Sequence, residues 1–241
     1  MMTKVLKPAQ LEQFRGLSTC LVASAIETFH ARLPNTGYAD SSIRCIFEDQ
    51  PAMIGYAATA RIRSSSPPME PNKSFDYYDR TDWWNNILTI PVPRVVVIED
   101  VDDPPGRGAF IGEVHANILL SLGCVGLVTN GAVRDLGDIR PTEFQMFAGN
   151  VSVSHAFAHL FDFGGAVEVG GLKIRPGELI HGDCHGVQTI PLEIADKVPE
   201  VAREIRQRRQ HLIGLRRSAD FTLERLRQAI RETAPNPTVP K

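Results

Sequence analysis

The sequence has little cysteine, no strong charge of either sign and no long hydrophobic run, and each absence excludes a class of protein. Its 241 residues include 26 Lys and Arg against 28 Asp and Glu, which leaves a net charge of −2. A chain so close to neutrality has no general attraction for nucleic acid or for an anionic membrane. No apolar stretch approaches the roughly 20 residues that a membrane helix requires. We therefore expect neither nucleic acid nor a membrane among the partners.

The cysteines are few and dispersed. The chain has 4 of them, with no Cys-x-x-Cys spacing: Cys20, Cys45, Cys124 and Cys184. This distribution favours reduced, mostly buried thiols over a disulfide framework or a zinc site. The first eight residues also lack the apolar segment of a signal peptide. Together these features predict a cytoplasmic protein.

Apolar periodicity predicts a mixed α/β fold. A helical stripe covers residues 10–29, and a further helix is expected over 111–122. Alternating or β-branched runs predict strands at 54–63, 94–99 and 124–129. Shorter strands are expected at 144–147, 151–154, 166–169, 172–174, 178–181 and 187–190. An Arg-rich amphipathic helix is expected from residue 192, with a break near Gly214, and a short helix near Asp79.

The most informative segment is the predicted strand at 124–129 together with the six residues after it. Asn130-Gly131 indicates a break at which the chain takes positive φ, and Arg134 and Asp135 come shortly afterwards. Residues at the ends of strands in α/β folds lie at the rim where ligands bind. A guanidinium suits a substrate carboxylate, and an aspartate suits a hard divalent cation. This pairing favours metal-assisted chemistry on a small oxo acid.

A second polar position precedes this segment. Glu113 follows Gly112 at the start of the predicted helix, where the backbone N–H groups of Val114 and His115 would offer an anion site. One helix and one strand separate Glu113 from Arg134, so both are expected at the same edge of the sheet. The residues alone are equally compatible with an acidic helix start and a surface ion pair.

The combined pattern resembles the RraA-like family, which includes class II 4-hydroxy-4-methyl-2-oxoglutarate aldolases. An acidic residue, twenty intervening residues and Arg-Asp match Glu113 and Arg134-Asp135. The later stretches Pro-Gly-Glu-Leu-Ile at 176–180 and Asp-Cys-His-Gly-Val at 183–187 also match. The resemblance covers residues 17–212. It implies a layered α/β/β/α sandwich. The residues add a helical C-terminal extension that is longer than in compact relatives, which predicts an RraA-like catalytic domain at 1–213 and an extension at 214–241.

The resemblance also implies an activity. Asp135 would hold Mg²⁺ or Mn²⁺, mostly through waters, with Glu113 assisting, while Arg134 and the amides of Val114 and His115 orient the pyruvyl group. The reaction would be cleavage of a 4-hydroxy-2-oxo acid to pyruvate through an enolate, with oxaloacetate decarboxylation as a side activity. The protein would be a homotrimer or homohexamer.

Two positions depart from the family pattern. Asn130 stands where many relatives have Asp. Many aldolases of the family also take a Glu from the C-terminal helix of a neighbouring subunit; here Arg208 or Arg209 falls near that place, and Glu204 is the nearest acidic residue. The alternative function is that of an RraA-like regulator that binds an RNA-degrading enzyme, but such regulators lack the acidic member of the motif that Glu113 supplies.

Other candidates have less support. His155 and His159 have helical i,i+4 spacing but no evident third metal ligand. The alternation of His181, Asp183 and His185 would put them on one strand face, either as a metal trio or, as we prefer, as part of a structural turn. The remaining features are interpreted as core packing (Trp83, Trp84) and as a solvated or intersubunit helix (203–217).

Overall fold

A computed structural model describes residues 5–68, 81–216 and 221–233, and it shows a mixed α/β fold. The helices in these ranges are α1 (Pro8–Arg15), α2 (Thr19–Thr28), α3 (Thr81–Leu88), α4 (Glu113–Ser121), α5 (Leu136–Ile139), α6 (Val198–Leu215) and α7 (Leu223–Thr233). The strands are β1 (Arg44–Cys45), β2 (Met53–Arg63), β3 (Arg94–Asp100), β4 (Ala109–Ile111), β5 (Cys124–Val133), β6 (Gln145–Val151), β7 (His159–Phe163), β8 (Val167–Val169), β9 (Leu172–Ile174), β10 (Leu179–Asp183) and β11 (Gly186–Ile190).

The strands form one large mixed sheet and a separate two-stranded ribbon. The main path of the sheet has the order β1-β6-β5-β3-β2-β10-β11, with β4 beside β5 and β7 beside β2, while β8 and β9 form the ribbon. The central strands β2, β3, β5 and β6 are parallel. Because parallel strands are covered on both faces, their sequences are continuously apolar. This explains why the β-branched run of β3 predicts its position well.

The layers follow from the alternation of side chains along β3. Val96 and Ile98 pack with Trp83 of α3 and Leu119 of α4, while Val95 and Val97 pack on the opposite face with the β8–β9 ribbon. A further core cluster joins α1, α2 and α6 to β2, β10 and β11. Helices thus cover a two-layered strand region, and the predicted α/β/β/α sandwich with C-terminal helices is confirmed.

The predicted helix over 10–29 is wrong, because the chain forms two helices there. Gly16 ends α1, and Ser18 has extended backbone angles (φ −72°, ψ 149°). The side chain of Ser18 accepts a hydrogen bond from the N–H of Leu21, and Asp183 Oδ2 accepts one from the N–H of Thr19 at 2.9 Å. Two side-chain acceptors therefore satisfy N–H groups in the first turn of α2 that have no acceptor within the helix.

The predicted break at Asn130-Gly131 is also wrong, since β5 continues through it to Val133. The side-chain amide of Asn130 accepts from the N–H of Asp100 at 2.7 Å and donates to its carbonyl at 2.9 Å. The side chain thereby replaces a pair of backbone bonds between β3 and β5. The left-handed residue in this region is Asp135, with φ 56°.

Several other boundaries differ from those predicted. The helix expected from residue 111 begins at Glu113, because 109–111 form β4. A single strand, β6 (Gln145–Val151), covers most of the strand expected at 144–147 and ends at the first residue of the strand expected at 151–154. Strand β7 was not predicted. Helix α6 passes through Gly214, so the chain does not break there, and the domain division at 213 stays a prediction. Asp79 lies outside the described residues.

The expectation of mostly buried thiols is wrong. All four cysteines are free, but only Cys124 is buried; Cys45 is half-buried, and Cys20 and Cys184 are exposed. Cys124 begins a central strand, whereas Cys184 lies in a turn between β10 and β11. A cysteine-poor sequence alone could not distinguish these environments.

A buried arginine fixes the helices on one face of the sheet. The guanidinium of Arg94, at the start of β3, donates to the carbonyls of Leu88, Ile90 and Leu122. Leu88 ends α3 and Leu122 caps the end of α4, so one cation satisfies carbonyls at both helix ends. A cation at a helix C-terminus also interacts favourably with the helix dipole.

None of the helices within the described ranges is long and apolar enough to cross a membrane.

Candidate functional site

A cavity of about 250 Å³ lies where the end of β5 meets the start of α4. It is lined by Gly112, Glu113, Val114, His115, Arg134, Asp135 and Asp138. The structure therefore brings together all five residues that the sequence predicted for the site. Asp138 is an additional residue that sequence reasoning missed.

The cavity is closed on one side by a hydrogen bond between its two predicted acidic positions. The backbone N–H of Glu113 donates to Asp135 Oδ2 at 3.0 Å. Gly112, the N-cap of α4, has no side chain to accept from the helix, so Asp135 performs this capping role from a distant position. Val114 and His115 follow in the same first turn, where N–H groups have no acceptor within the helix.

Gly112 is required by the closeness of the residues around it. A Cβ atom at this position would lie 2.8 Å from Arg134 Nε and closer still to Asp135 Oδ2. Both contacts are shorter than packed atoms tolerate. Only glycine lets Arg134 and Asp135 approach the start of α4 in this arrangement.

Asp135 has two differently placed carboxylate oxygens. Oδ2 accepts from Glu113 and lies 3.4 Å from Arg134 Nε. Among the described residues, no hydrogen bond reaches Oδ1, and the side chain is 36% exposed. The left-handed backbone of Asp135 begins α5 and directs the chain away from the sheet. One oxygen is thus held in place while the other remains available to a ligand.

Arg134 is held near Asp135 but is not saturated by it. Its side chain is 25% exposed, and the buried Nε has no hydrogen-bond acceptor in the part of the chain that the structure describes. A buried donor without an acceptor is uncommon and costs free energy unless a ligand or water satisfies it. The exposed part of the guanidinium, rather than the buried Nε, is the part that an anionic oxygen in the cavity could contact.

His115 contributes to the cavity from a buried position. Its ring is 1% exposed and stacks on Phe110, with the ring centroids 5.0 Å apart. The Trp84 ring lies 6.1 Å away, and Trp83 is fully buried against Phe110. The core packing predicted for Trp83 is confirmed. The aromatic rings of Trp83, Trp84 and Phe110 form a cluster that contacts His115 in the first turn of α4.

The donor set fits a hard divalent cation better than a soft one. Asp135, Glu113 and Asp138 offer carboxylate oxygens, and the cavity contains no thiol. Mg²⁺ and Mn²⁺ prefer oxygen ligands, and Mg²⁺ keeps several waters when few protein ligands are available. Asp138 is exposed and lies one helical turn after Asp135, a spacing that could have identified it.

The remaining candidates do not join this cavity. His155 lies in a loop and His159 begins β7, so the predicted common helical face does not exist. His181 is buried against the carbonyl of Phe14. Glu204 is exposed on α6, which packs against α2 in the other helical layer, and within one chain it does not line the cavity.

A larger cavity of about 540 Å³ lies at the opposite ends of the central strands. Its lining is mainly apolar, and none of the sequence-predicted site residues contributes to it. A binding pocket needs a few convergent polar groups as well as volume, and a guanidinium, carboxylates and a helix N-terminus converge at the smaller cavity. The smaller cavity is therefore the candidate site.

Comparison with known protein families matches residues 19–188 to the RraA-like family, described as Aldolase/RraA. The chain belongs to the RraA-like family. This RraA-like chain is 27% identical to an uncharacterised protein of Methanocaldococcus jannaschii over 175 residues, which span 71% of this chain and 76% of the relative. It is 30% identical to a Halalkalibacterium halodurans protein named "Putative 4-hydroxy-4-methyl-2-oxoglutarate aldolase", over 46% of this chain and 53% of that protein.

Solved structures show the same fold. An uncharacterised protein of Pseudomonas syringae superposes with a TM-score of 0.71 at 20% identity, covering 95% of this chain and 97% of the other. Streptomyces coelicolor RraAS2, described as an unusual member of the RNase ES inhibitor RraA protein family, gives 0.67 at 16% identity, covering 86% and 98%. The RraA-like family thus includes both aldolases and regulators of RNA-degrading enzymes, and the site chemistry must distinguish them.

Proposed function

We propose that this RraA-like protein is a divalent-metal-dependent lyase that cleaves a 4-hydroxy-2-oxo acid to pyruvate. One observation carries the proposal: Arg134, Asp135 and the N-terminus of α4 converge on a single cavity, with a guanidinium and a carboxylate both available to a ligand. A protein that only binds another protein has no need of this arrangement. A relative named as an aldolase gives independent support.

The first task of the site is to hold the carboxylate of the 2-oxo acid. The N–H groups of Val114 and His115 lie at the positive end of the α4 dipole, where anions are stabilised. The cavity volume of about 250 Å³ equals that of roughly eight waters in the liquid, which accommodates a three-carbon oxo acid with a hydrated cation.

The second task is to stabilise charge as the carbon–carbon bond breaks. Arg134 lines the cavity with 25% of its side chain exposed, so its guanidinium would donate to the oxygen that becomes negative in the pyruvate enolate. An interaction that strengthens as charge develops lowers the barrier rather than only tightening substrate binding. Decarboxylation of oxaloacetate leaves the same enolate, so we expect it as a side activity.

Asp135 would hold Mg²⁺ or Mn²⁺ through Oδ1, mostly with water as the other ligands, and Glu113 and Asp138 would bind those waters. When bound, the cation supplies Lewis-acid polarisation of the 2-oxo group. Asp135 is positioned for this because the hydrogen bond from the Glu113 amide to Oδ2 fixes the orientation of the carboxylate. The other oxygen, Oδ1, is then available to the cation.

We further propose that the protein is a homotrimer or homohexamer with the site at a subunit interface. Large apolar side chains are exposed on one stretch of the chain: Val151, Val153, Phe157 and Phe161. Such exposure favours an interface between proteins. The apolar residues of the C-terminal helix give less support, because Val201 and Ile205 pack against the protein's own core. A neighbouring subunit could supply an acid–base group such as Glu204.

The decisive experiment is a pyruvate-release assay over a panel of 4-hydroxy-2-oxo acids and oxaloacetate. Each substrate is measured with Mg²⁺, with Mn²⁺ and with EDTA, using wild type and Asp135→Asn. Metal-dependent pyruvate release that is lost in Asp135→Asn supports the lyase. Absence of turnover with every substrate, together with inhibition of an RNA-degrading enzyme by the wild type, would overturn it in favour of the regulator.

A further inference from the structure

A second group of metal-ligating side chains lies away from the cavity, in the turn between β10 and β11. Asp183 ends β10 and Gly186 begins β11, so Cys184 and His185 are the two residues of the hairpin loop. One possible ligand atom from each of Asp183, Cys184 and His185 lies within 4.8 Å of the other two. The cavity at α4 contains none of these residues.

Two of the separations between these side chains are close to the edges of a coordination tetrahedron. His185 Nδ1 lies 3.4 Å from Cys184 Sγ and 3.0 Å from Asp183 Oδ1. Zinc–sulfur, zinc–nitrogen and zinc–oxygen bonds of about 2.3, 2.0 and 2.0 Å at tetrahedral angles would separate such ligands by roughly 3.3 to 3.6 Å. The Nδ1–Sγ separation falls in this range, and the Nδ1–Oδ1 separation is about 0.3 Å shorter.

The backbone prepares this arrangement before any ion binds. Asp183 is held by the N–H groups of Thr19 and His185, both at 2.9 Å, which fixes its carboxylate between helix α2 and the hairpin. Cys184 and His185 are exposed, so a cation can enter from solvent. Fixed carboxylate and open thiol and imidazole groups together resemble a preorganised site rather than a chance cluster.

The surroundings are negative and contain further thiols. Burial, Asp183, Glu48 and Cys20 all raise the pKa of the Cys184 thiol, and Cys45 is close enough for Cys184 to raise its pKa as well. A thiol among carboxylates is a poor nucleophile without a cation, but the same charges attract one. Cys20 and Glu48 are candidates for a fourth ligand.

We propose that Asp183, Cys184 and His185 form a binding site for a thiophilic divalent cation of the zinc type. Sulfur and imidazole ligands favour zinc over the magnesium class of ions, which separates this site from the oxygen-lined cavity. Binding replaces the thiol proton, which is released to solvent, and the neutral imidazole coordinates through Nδ1. The ion would join the β10–β11 turn to the start of α2 through Asp183.

Cobalt substitution of the full-length protein tests the site directly. Metal-free wild type titrated with Co²⁺ should develop thiolate-to-cobalt charge-transfer absorption in the near ultraviolet, and equimolar Zn²⁺ should abolish it. Cys184→Ser should lose the absorption. His185→Gln should weaken Zn²⁺ binding at least about tenfold, because loss of a residue that only supports a metal ligand already costs about that much affinity. His155→Gln, a histidine in a distant loop, is the matched control and should bind normally.

A second measurement guards against a folding defect in the variants. In the wild type, Zn²⁺ should protect Cys184 from alkylation, measured by peptide mass spectrometry, whereas the same concentration of Mg²⁺ should leave the alkylation rate unchanged. No charge-transfer absorption in the wild type, or absorption that persists in Cys184→Ser, would overturn the proposal. Loss in Cys184→Ser with retention in His155→Gln supports it.

Discussion

The N–H of Glu113 and the carboxylate of Asp135, 22 positions apart in the chain, are joined by a hydrogen bond of 3.0 Å. This bond connects the start of α4 to the end of β5 and fixes the orientation of the Asp135 carboxylate. It also explains how two short sequence motifs act as one site. A displacement of either element would therefore shift the other.

Removal of the divalent cation should abolish activity. The donor set around Asp135 is poor in protein ligands, so a bound Mg²⁺ or Mn²⁺ would keep several waters and exchange readily with chelator. We expect pyruvate release to fall to background in EDTA and to return when Mg²⁺ or Mn²⁺ is added in excess. Full activity in exhaustively chelated protein, with no metal found by elemental analysis, would contradict the mechanism.

Arg134→Lys should lower turnover on the order of 10²-fold, the typical loss for one charge-stabilising donor. Lysine keeps the charge but cannot reproduce the fixed planar donor that faces the cavity. Arg140→Lys is the matched control, because Arg140 is exposed and pairs with Asp49 on the surface. Saturation kinetics on a pyruvate-forming substrate provides the measurement; near wild-type rates in both Arg134→Lys and Arg134→Ala would make Arg134 structural.

Gly112→Ala should damage the site, whereas Gly137→Ala should not. A methyl group at Gly112 would collide with Arg134 and Asp135, but one at Gly137, in the neighbouring helix α5, meets no atom within 4 Å. We expect at least a tenfold loss of activity for Gly112→Ala, consistent with sensitivity of catalysis to displacements of about 1 Å. Equal activities of the two variants would show that the approach of these residues is not needed.

Light scattering should give three or six times the 26.6 kDa mass of one chain at micromolar concentration. Val153 is fully exposed within the apolar stretch, so Val153→Asp should favour dissociation because it would bury a charge at the interface. Leu33→Asp, at another exposed apolar position, is the control. A monomeric wild type would remove the intersubunit site from consideration.

The Cys124 thiol should make the protein less stable at alkaline pH. Burial raises the pKa of Cys124 to about 12. Between the ordinary thiol pKa and that value, the unfolded chain loses the proton while the folded chain keeps it, so stability falls as pH rises. From pH 9 to pH 10 this loss is on the order of 1 kcal/mol. Urea unfolding at both pH values should show a smaller loss in Cys124→Ala than in wild type.

Strands that are buried on both faces could be predicted from their apolar sequence pattern. The prediction failed where side-chain hydrogen bonds take the place of backbone hydrogen bonds. The β-branched run of β3 identifies that strand because both of its faces are covered. The Asn130-Gly131 pair misleads, since its turn-forming residues are held in the strand by bonds to Asp100. The break between α1 and α2 depends partly on Asp183, which is 164 positions from Thr19 and leaves no local signal.

The candidate site could be predicted more completely than the fold around it. Its residues fall in two short motifs, whose meeting requires only one helix and one strand between them. Asp138 was missed because the short helix α5 that places it one turn after Asp135 was not predicted from the sequence. A metal at Cys184 and His185 was not favoured from the sequence, because dispersed cysteines argue against zinc and the segment was interpreted as a structural turn. The nearness of Cys20, Cys45 and Glu48 depends entirely on tertiary structure.

Helix α4 is fixed at both ends, by Arg94 at one end and by Asp135 at the other. The guanidinium secures the carbonyl end, and Asp135 secures the amide end, about 13 Å away along a helix of nine residues. Because a helix resists compression along its axis, a displacement at Leu122 is transmitted to the amides that face the substrate. The precision of the proposed anion site is therefore determined partly at the opposite end of α4, by a cation that lies outside the cavity.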